Sequence, residues 1–154
     1  MKALIVYESV YGNTEKIALA IAGAISETVQ AKALRANIVA PADRIGIDLL
    51  ILGTPTQGGR PLPGVKEFLD NLSPHALQGV AVTAFDTRMT MWVARAFGYP
   101  ASHLAEELVK KGGHLVLPAE GFIVTDREGP LKPGEIERAT EWSKSVIESF
   151  NNRK

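Results

Sequence analysis

The sequence predicts one α/β domain organised around a doubly wound parallel sheet. Short apolar runs rich in β-branched residues, the mark of strands covered on both faces, alternate with longer segments whose apolar residues recur at helical spacing. At 154 residues the chain has the length of a single domain, and no internal repeat or low-complexity linker divides it.

Ala3 to Tyr7 is a continuous apolar run and reads as the first buried strand. Thr14 to Val29 follows as a helix, with Ile17, Ala18, Ile21, Ala24, Ile25 and Val29 on one side. Ala31 to Ala36 is a weaker strand. Asp48 to Leu52 contains Leu49-Leu50-Ile51-Leu52, again buried on both sides, and Gly53 to Pro63 is a loop dense in Gly and Pro. Val65, Phe68, Leu69 and Leu72 mark a helix that ends before Ser73-Pro74.

Val80 to Phe85 reads as the third clear strand, with a loop beginning at Asp86 and a short helix around Met91 to Phe97. Ala101 to Lys111 is helical and is stopped by Gly112-Gly113. Leu115 to Leu117 and Phe122 to Thr125 form one interrupted strand or two short ones, and Asp126 to Pro133 is a turn-rich loop. Glu135 to Phe150 is the last helix, with Ile136, Ala139, Val146, Ile147 and Phe150 on its packed side and Trp142 also in helix packing. Asn151 to Lys154 is expected to be disordered.

Five strands alternating with helices through right-handed crossovers give a parallel sheet. Ligands of such sheets sit outside the carboxyl ends of the strands, where the strand order reverses. The loops beginning at Glu8, Gly53 and Asp86 are therefore the places to look for chemistry.

Composition narrows the choice of function. Seventeen basic and seventeen acidic residues cancel, which argues against a nucleic-acid partner, since those domains carry a basic stripe. The absence of cysteine excludes disulfides, thiolate metal sites and cysteine nucleophiles. The segment Met1 to Tyr7 is too short and lacks the cleavage site of a signal peptide, and no run approaches the ~20 apolar residues of a membrane span. A cytoplasmic protein is expected. His75, His103 and His114 are scattered and lack metal-ligand spacing, and the carboxylates are dispersed, so neither metal nor acid–base chemistry is expected.

The first loop, Glu8-Ser9-Val10-Tyr11-Gly12-Asn13-Thr14, joins a buried strand to a helix. Ser9 and Thr14 offer hydroxyls, Asn13 offers an amide, and Gly12 permits a turn that directs successive N–H groups inward. The helix start adds unpaired N–H groups and its dipole, so a phosphate can be surrounded by neutral donors. Without a ligand, the same residues make an ordinary strand–helix turn. There is no G-x-G-x-x-G, and Gly12-Asn13-Thr14-Glu15-Lys16 is not a P-loop. A phospho-acceptor receiver domain would end its central strand in aspartate, where this chain has Gly53-Thr54.

Ser9-Val10-Tyr11-Gly12-Asn13-Thr14 followed by Glu15-Lys16-Ile17-Ala18 resembles the phosphate loop of flavodoxins and of the flavodoxin-like domain of flavodiiron proteins. Tyr11 stands where that family carries a small hydroxyl residue. The second loop, Thr54-Pro55-Thr56-Gln57-Gly58-Gly59-Arg60-Pro61, running into Gly64 to Leu69, is similar to the flavodiiron segment that lies beside the flavin ring. The resemblance implies a three-layer α/β/α sandwich with a five-stranded parallel sheet of order 2-1-3-4-5, non-covalent flavin mononucleotide (FMN) and electron transfer. It further implies that Gly58 and Gly59 allow a peptide near the flavin N5 edge to change conformation. The third loop, Phe85-Asp86-Thr87-Arg88 with Trp92, is implied to surround the ring's pyrimidine end.

Two departures keep other functions open. Gln57 and Met89 stand where many flavodoxins place the aromatics that stack on the ring, and Trp92 is the candidate substitute for the second of them. Typical carriers are also strongly acidic, whereas this chain is neutral. The alternatives are an FMN-dependent NAD(P)H/quinone-type reductase, such enzymes commonly forming a homodimer over their flavin loops, and a flavin-free binding module. Arg60 and Arg88 are the cations expected near the flavin. The carrier reading expects redox partner proteins; the reductase reading expects a small acceptor such as a quinone.

Overall fold

The computed structural model describes residues 1–57, 59–90 and 99–154. Gly58, Trp92 and the short helix expected around Met91 to Phe97 lie outside the described residues. Among the described residues six strands pair in parallel: β1 (Lys2–Tyr7), β2 (Gln30–Arg35), β3 (Leu49–Pro55), β4 (Ala81–Arg88), β5 (His114–Leu115) and β6 (Glu120–Ile123). The sheet runs β2-β1-β3-β4-β5, the expected order, and β6 pairs with the far half of β4. The interrupted last strand is thus two short strands, divided around Pro118.

Four helices flank the sheet among the described residues: α1 (Asn13–Ile25), α2 (Pro63–Asp70), α3 (Pro100–Lys110) and α4 (Glu135–Asn151). Successive residues of a strand face opposite layers, and β1 is divided accordingly. Ala3, Ile5 and Tyr7 join Ile17, Ile21 and Val146 on the side of α1 and α4. Leu4 and Val6 join Val65, Phe68, Leu104 and Leu108 on the side of α2 and α3. Both faces of the central strands are therefore covered, and Leu49 to Leu52 are at most 1% exposed. In the first layer Phe85, Phe122 and Trp142 meet edge to face, with ring centroids 6.0 to 6.4 Å apart.

The structure corrects the expected boundaries in ways that shape the site. β3 continues through Gly53-Thr54-Pro55 and β4 through Asp86-Thr87-Arg88, since Thr54 pairs with Asp86 and Pro55 with Thr87. The second loop therefore starts at Thr56, and Asp86 belongs to a strand. α1 ends at Ile25, four residues short of Val29, which stays buried beyond a turn. Ile136 is 38% exposed, not packed; the buried line of α4 is Glu135, Ala139, Ser143 and Val146. Asn151 is helical, and Arg153 donates to the carbonyls of Leu115 and Val116, so the last residues are tied to the sheet.

Candidate functional site

At the carboxyl ends of β1, β3 and β4 lies a cavity of about 410 Å³. Ser9, Val10, Tyr11, Asn13 and Thr14 form one wall, Pro55, Thr56 and Gln57 the second, and Thr87, Arg88 and Met89 the third. The three loops chosen from the sequence thus converge on one space.

The first wall is built by the strand–helix junction. Gly12 adopts φ +89°, the left-handed region that favours glycine, and stands immediately before α1. Ser9 Oγ accepts from the Gly12 N–H at 3.1 Å and the Glu15 N–H at 3.3 Å, which closes the turn on itself. Among the described residues, no partner takes the backbone N–H of Val10, Tyr11, Asn13 or Thr14. Asn13 and Thr14 are nonetheless 8% and 1% exposed. Open amides in a buried helix start are donors awaiting an acceptor.

Behind this wall, Tyr7 donates from its hydroxyl to Glu15 Oε2 at 2.7 Å, and Arg35 donates to the same oxygen at 2.8 Å and to the Ser9 carbonyl at 3.2 Å. The Tyr7 hydrogen bond, seconded by the Arg35 charge, holds the Glu15 carboxyl below its ordinary range. Burial pushes the Tyr7 phenol up, and the bond to Glu15 adds to it. An anionic Glu15 clamps the loop to β2 through Arg35.

In the second wall Thr56 donates its N–H to the Thr87 carbonyl at 2.9 Å. Its hydroxyl is buried and has no partner among the described residues. A buried orphan hydroxyl is costly unless something completes its hydrogen bonding. Gln57 and Arg60 exchange both backbone bonds around Gly59, whose φ is +75°. Thr54, although chosen as a site residue, is fully buried behind this wall, where its hydroxyl accepts from the Leu62 N–H at 3.0 Å.

The third wall contains a closed ion pair. Asp86 is wholly buried and accepts from Arg88 Nε at 2.5 Å, from Arg88 Nη2 at 2.8 Å and from the Ala101 N–H at 3.1 Å. Burial raises the Asp86 carboxyl above its ordinary value, against the pull of the Arg88 charge. The Arg88 guanidinium lies 3.3 Å from the Tyr99 ring centroid and against Gly121, where a Cβ would collide with it. Phe85 is buried beneath the floor, its ring filling the space over Gly53.

The walls therefore gather Ser9, Val10, Tyr11, Asn13, Thr14, Pro55, Thr56, Gln57, Thr87 and Arg88 of the expected residues. Gly12 and Gly59 shape turns, while Thr54, Phe85 and Asp86 lie behind the walls. Val124 and Arg127 line the cavity and were not expected. Their position follows from a pairing that local pattern does not reveal: the Val124 N–H donates to the Arg88 carbonyl at 2.9 Å. Arg60, expected near the flavin, instead lines a separate groove with Lys66, Asp70 and His103. Among the described residues no three His, Cys, Asp or Glu side chains are grouped to hold a metal ion.

A neutral-donor turn, an orphan hydroxyl and a cleft between strand ends suit a phosphorylated, flat ligand. A family model described as "Flavodoxin domain" matches residues 4–113. Flavodoxin 2 from Bacillus cereus superposes with a TM-score of 0.81 at 25% identity, over 97% of this chain and 100% of that one. Flavodoxin 1 from the same organism gives 0.77 at 22% identity, over 96% and 98%. The flavodiiron protein from Giardia intestinalis gives 0.70 at 18% identity, covering 98% of this chain but 37% of that longer one.

Proposed function

The chain belongs to the flavodoxin family of FMN-binding electron-transfer proteins, and from that premise we propose that the cavity between the three loops is its FMN site. In this reading the open amides of Val10, Tyr11, Asn13 and Thr14, with the Thr14 hydroxyl, hold the phosphate. The ring lies between the second and third walls, where Thr56 Oγ1 finds its missing partner. The observation that carries the reading is the run of N–H groups without partners among the described residues, exposed at Val10 and Tyr11 and buried at Asn13 and Thr14 in the start of α1, all on residues that line this cavity.

When bound, FMN supplies the redox chemistry, taking up and releasing electrons. The chain's residues bind and position it. Tyr11 and Val10, 45% and 52% exposed, form an apolar rim at the cavity mouth. The Asp86–Arg88 pair holds a guanidinium at the cavity wall with its charge already balanced, so this arginine contributes little net field. Electrons pass to and from redox partner proteins. With no net charge, the chain meets those partners through local contacts rather than a long-range field.

A cytoplasmic location belongs to the same proposal. A quinone acceptor and a homodimer belong to the reductase reading, which NAD(P)H oxidation in the presence of quinone tests. The FMN site itself is tested by titrating the purified protein into FMN and following flavin fluorescence and the visible spectrum. Saturable quenching with a shifted spectrum is expected; unquenched FMN at all protein concentrations overturns the reading.

A further inference from the structure

We propose that Arg127 supplies a positive charge to the FMN phosphate, making this a cation-assisted site in place of the neutral one that the first loop alone would form. The inference rests on the FMN reading and adds a residue from a distant part of the chain. Arg127 lines the same cavity as Ser9, Asn13 and Thr14. Its neighbourhood is fastened to the phosphate loop: Asn13 Nδ2 donates to the Glu128 carbonyl at 3.1 Å, and Gly129 packs so closely on Asn13 that a Cβ there would come within 2.7 Å of the amide. The backbone one residue from Arg127 is thus anchored at the start of α1.

Charge bookkeeping in the cavity singles this arginine out. Among the described residues the lining contains two cations, Arg88 and Arg127, and no carboxylate. Arg88 is engaged by both oxygens of Asp86. Arg127 has no ion-pair partner among the described residues, and the neighbouring Asp126 carboxylate accepts the Arg127 backbone N–H at 2.7 Å. A dianionic phosphate at the first loop is the acceptor chemistry this guanidinium suits. Because Arg127 is exposed, solvent and salt screen the attraction, so the effect is modest and falls with ionic strength.

The experiment compares FMN and riboflavin, which lacks the phosphate, as ligands of the full chain at low and high salt. The proteins are wild type, Arg127→Gln and Arg127→Lys. Arg127→Gln is expected to weaken FMN about three- to tenfold at low salt, to flatten its salt dependence and to leave riboflavin unchanged. Arg127→Lys should recover most of the FMN affinity. Equal weakening of both ligands, or an unaltered salt dependence for FMN, overturns the assignment and leaves the FMN site standing. Failure of the wild type to bind either flavin overturns the site and this inference together.

Discussion

Thr14 and Thr87 share a hydrogen bond of 2.8 Å between their hydroxyls, joining the first turn of α1 to the end of β4. Both residues are almost wholly buried, at 1% and 4% exposed, and both line the cavity. The bond holds two walls of the site in register before any ligand arrives, which is preorganisation in its simplest form.

Thr14→Ala should weaken FMN by about 1–3 kcal/mol, the range for a lost hydrogen bond to a charged group. Riboflavin should lose less, its loss reflecting only the broken Thr14–Thr87 bond between the two walls. Titration of both flavins by fluorescence checks this, and an equal loss for riboflavin would show that Thr14 does not touch the phosphate.

Gly53→Ala should destabilise the fold by about 1–3 kcal/mol, since a Cβ at Gly53 would overlap the buried Phe85 ring. Phe85 is held from the other side by Phe122 and Trp142 and has little room to yield. Urea unfolding measures the change; a loss under about 0.5 kcal/mol, the scatter of ordinary surface substitutions, would mean that the ring moves freely.

The two halves of the Asp86–Arg88 pair should respond unequally to deletion. Asp86→Ala strands a guanidinium that is 15% exposed and cannot lose its proton, and should cost about 3–5 kcal/mol. Arg88→Met leaves a carboxyl that burial already pushes up and that can take a proton. A raised folded-state value stabilises below the ordinary carboxyl range, and that stability is lost as pH rises through the folded value. Arg88→Met should therefore be closer to wild type at pH 4 than at pH 8, whereas the Asp86→Ala deficit should persist at both. Urea unfolding at the two pH values reads the contrast, and identical pH profiles would contradict it.

Glu135 gives the opposite sign. The Arg138 hydrogen bond, with the Ile123 N–H at 2.7 Å, lowers its carboxyl below the ordinary 4.5. Its contribution is present above pH 4.5 and is lost as pH falls through the lowered value. Glu135→Gln should therefore be less stable than wild type at neutral pH, and the gap should narrow in acid. Thermal unfolding between pH 3 and 7 tests this; a gap that widens in acid would refute it.

The strands of the sheet centre were legible because burial on both faces leaves an uninterrupted apolar run, as in Leu49 to Leu52. The first loop was legible because hydroxyls, an amide and Gly12 fall together in seven residues. The end of β4 was not. Asp86, Thr87 and Arg88 read as loop chemistry, yet they fit inside the sheet because the ion pair neutralises itself and Thr87 finds Thr14. Arg127 and Val124 carry no local signal, since their place is set by β6 docking on β4 some 35 residues earlier in the chain. In α4 Ala139 and Val146 are buried on the expected side, but Glu135 takes the first buried place instead of Ile136, because Arg138 and the Ile123 amide satisfy its charge.

The outermost strand on the β5 side has another consequence, for solubility. A bare sheet edge offers carbonyls on which a neighbouring molecule can build. Here Arg153 caps Leu115 and Val116, and the Ser149 hydroxyl donates to Val116 as well, so acceptors at the rim of β5 are already taken. Ser149 and Arg153 thereby occupy acceptors on which a neighbouring molecule could otherwise build.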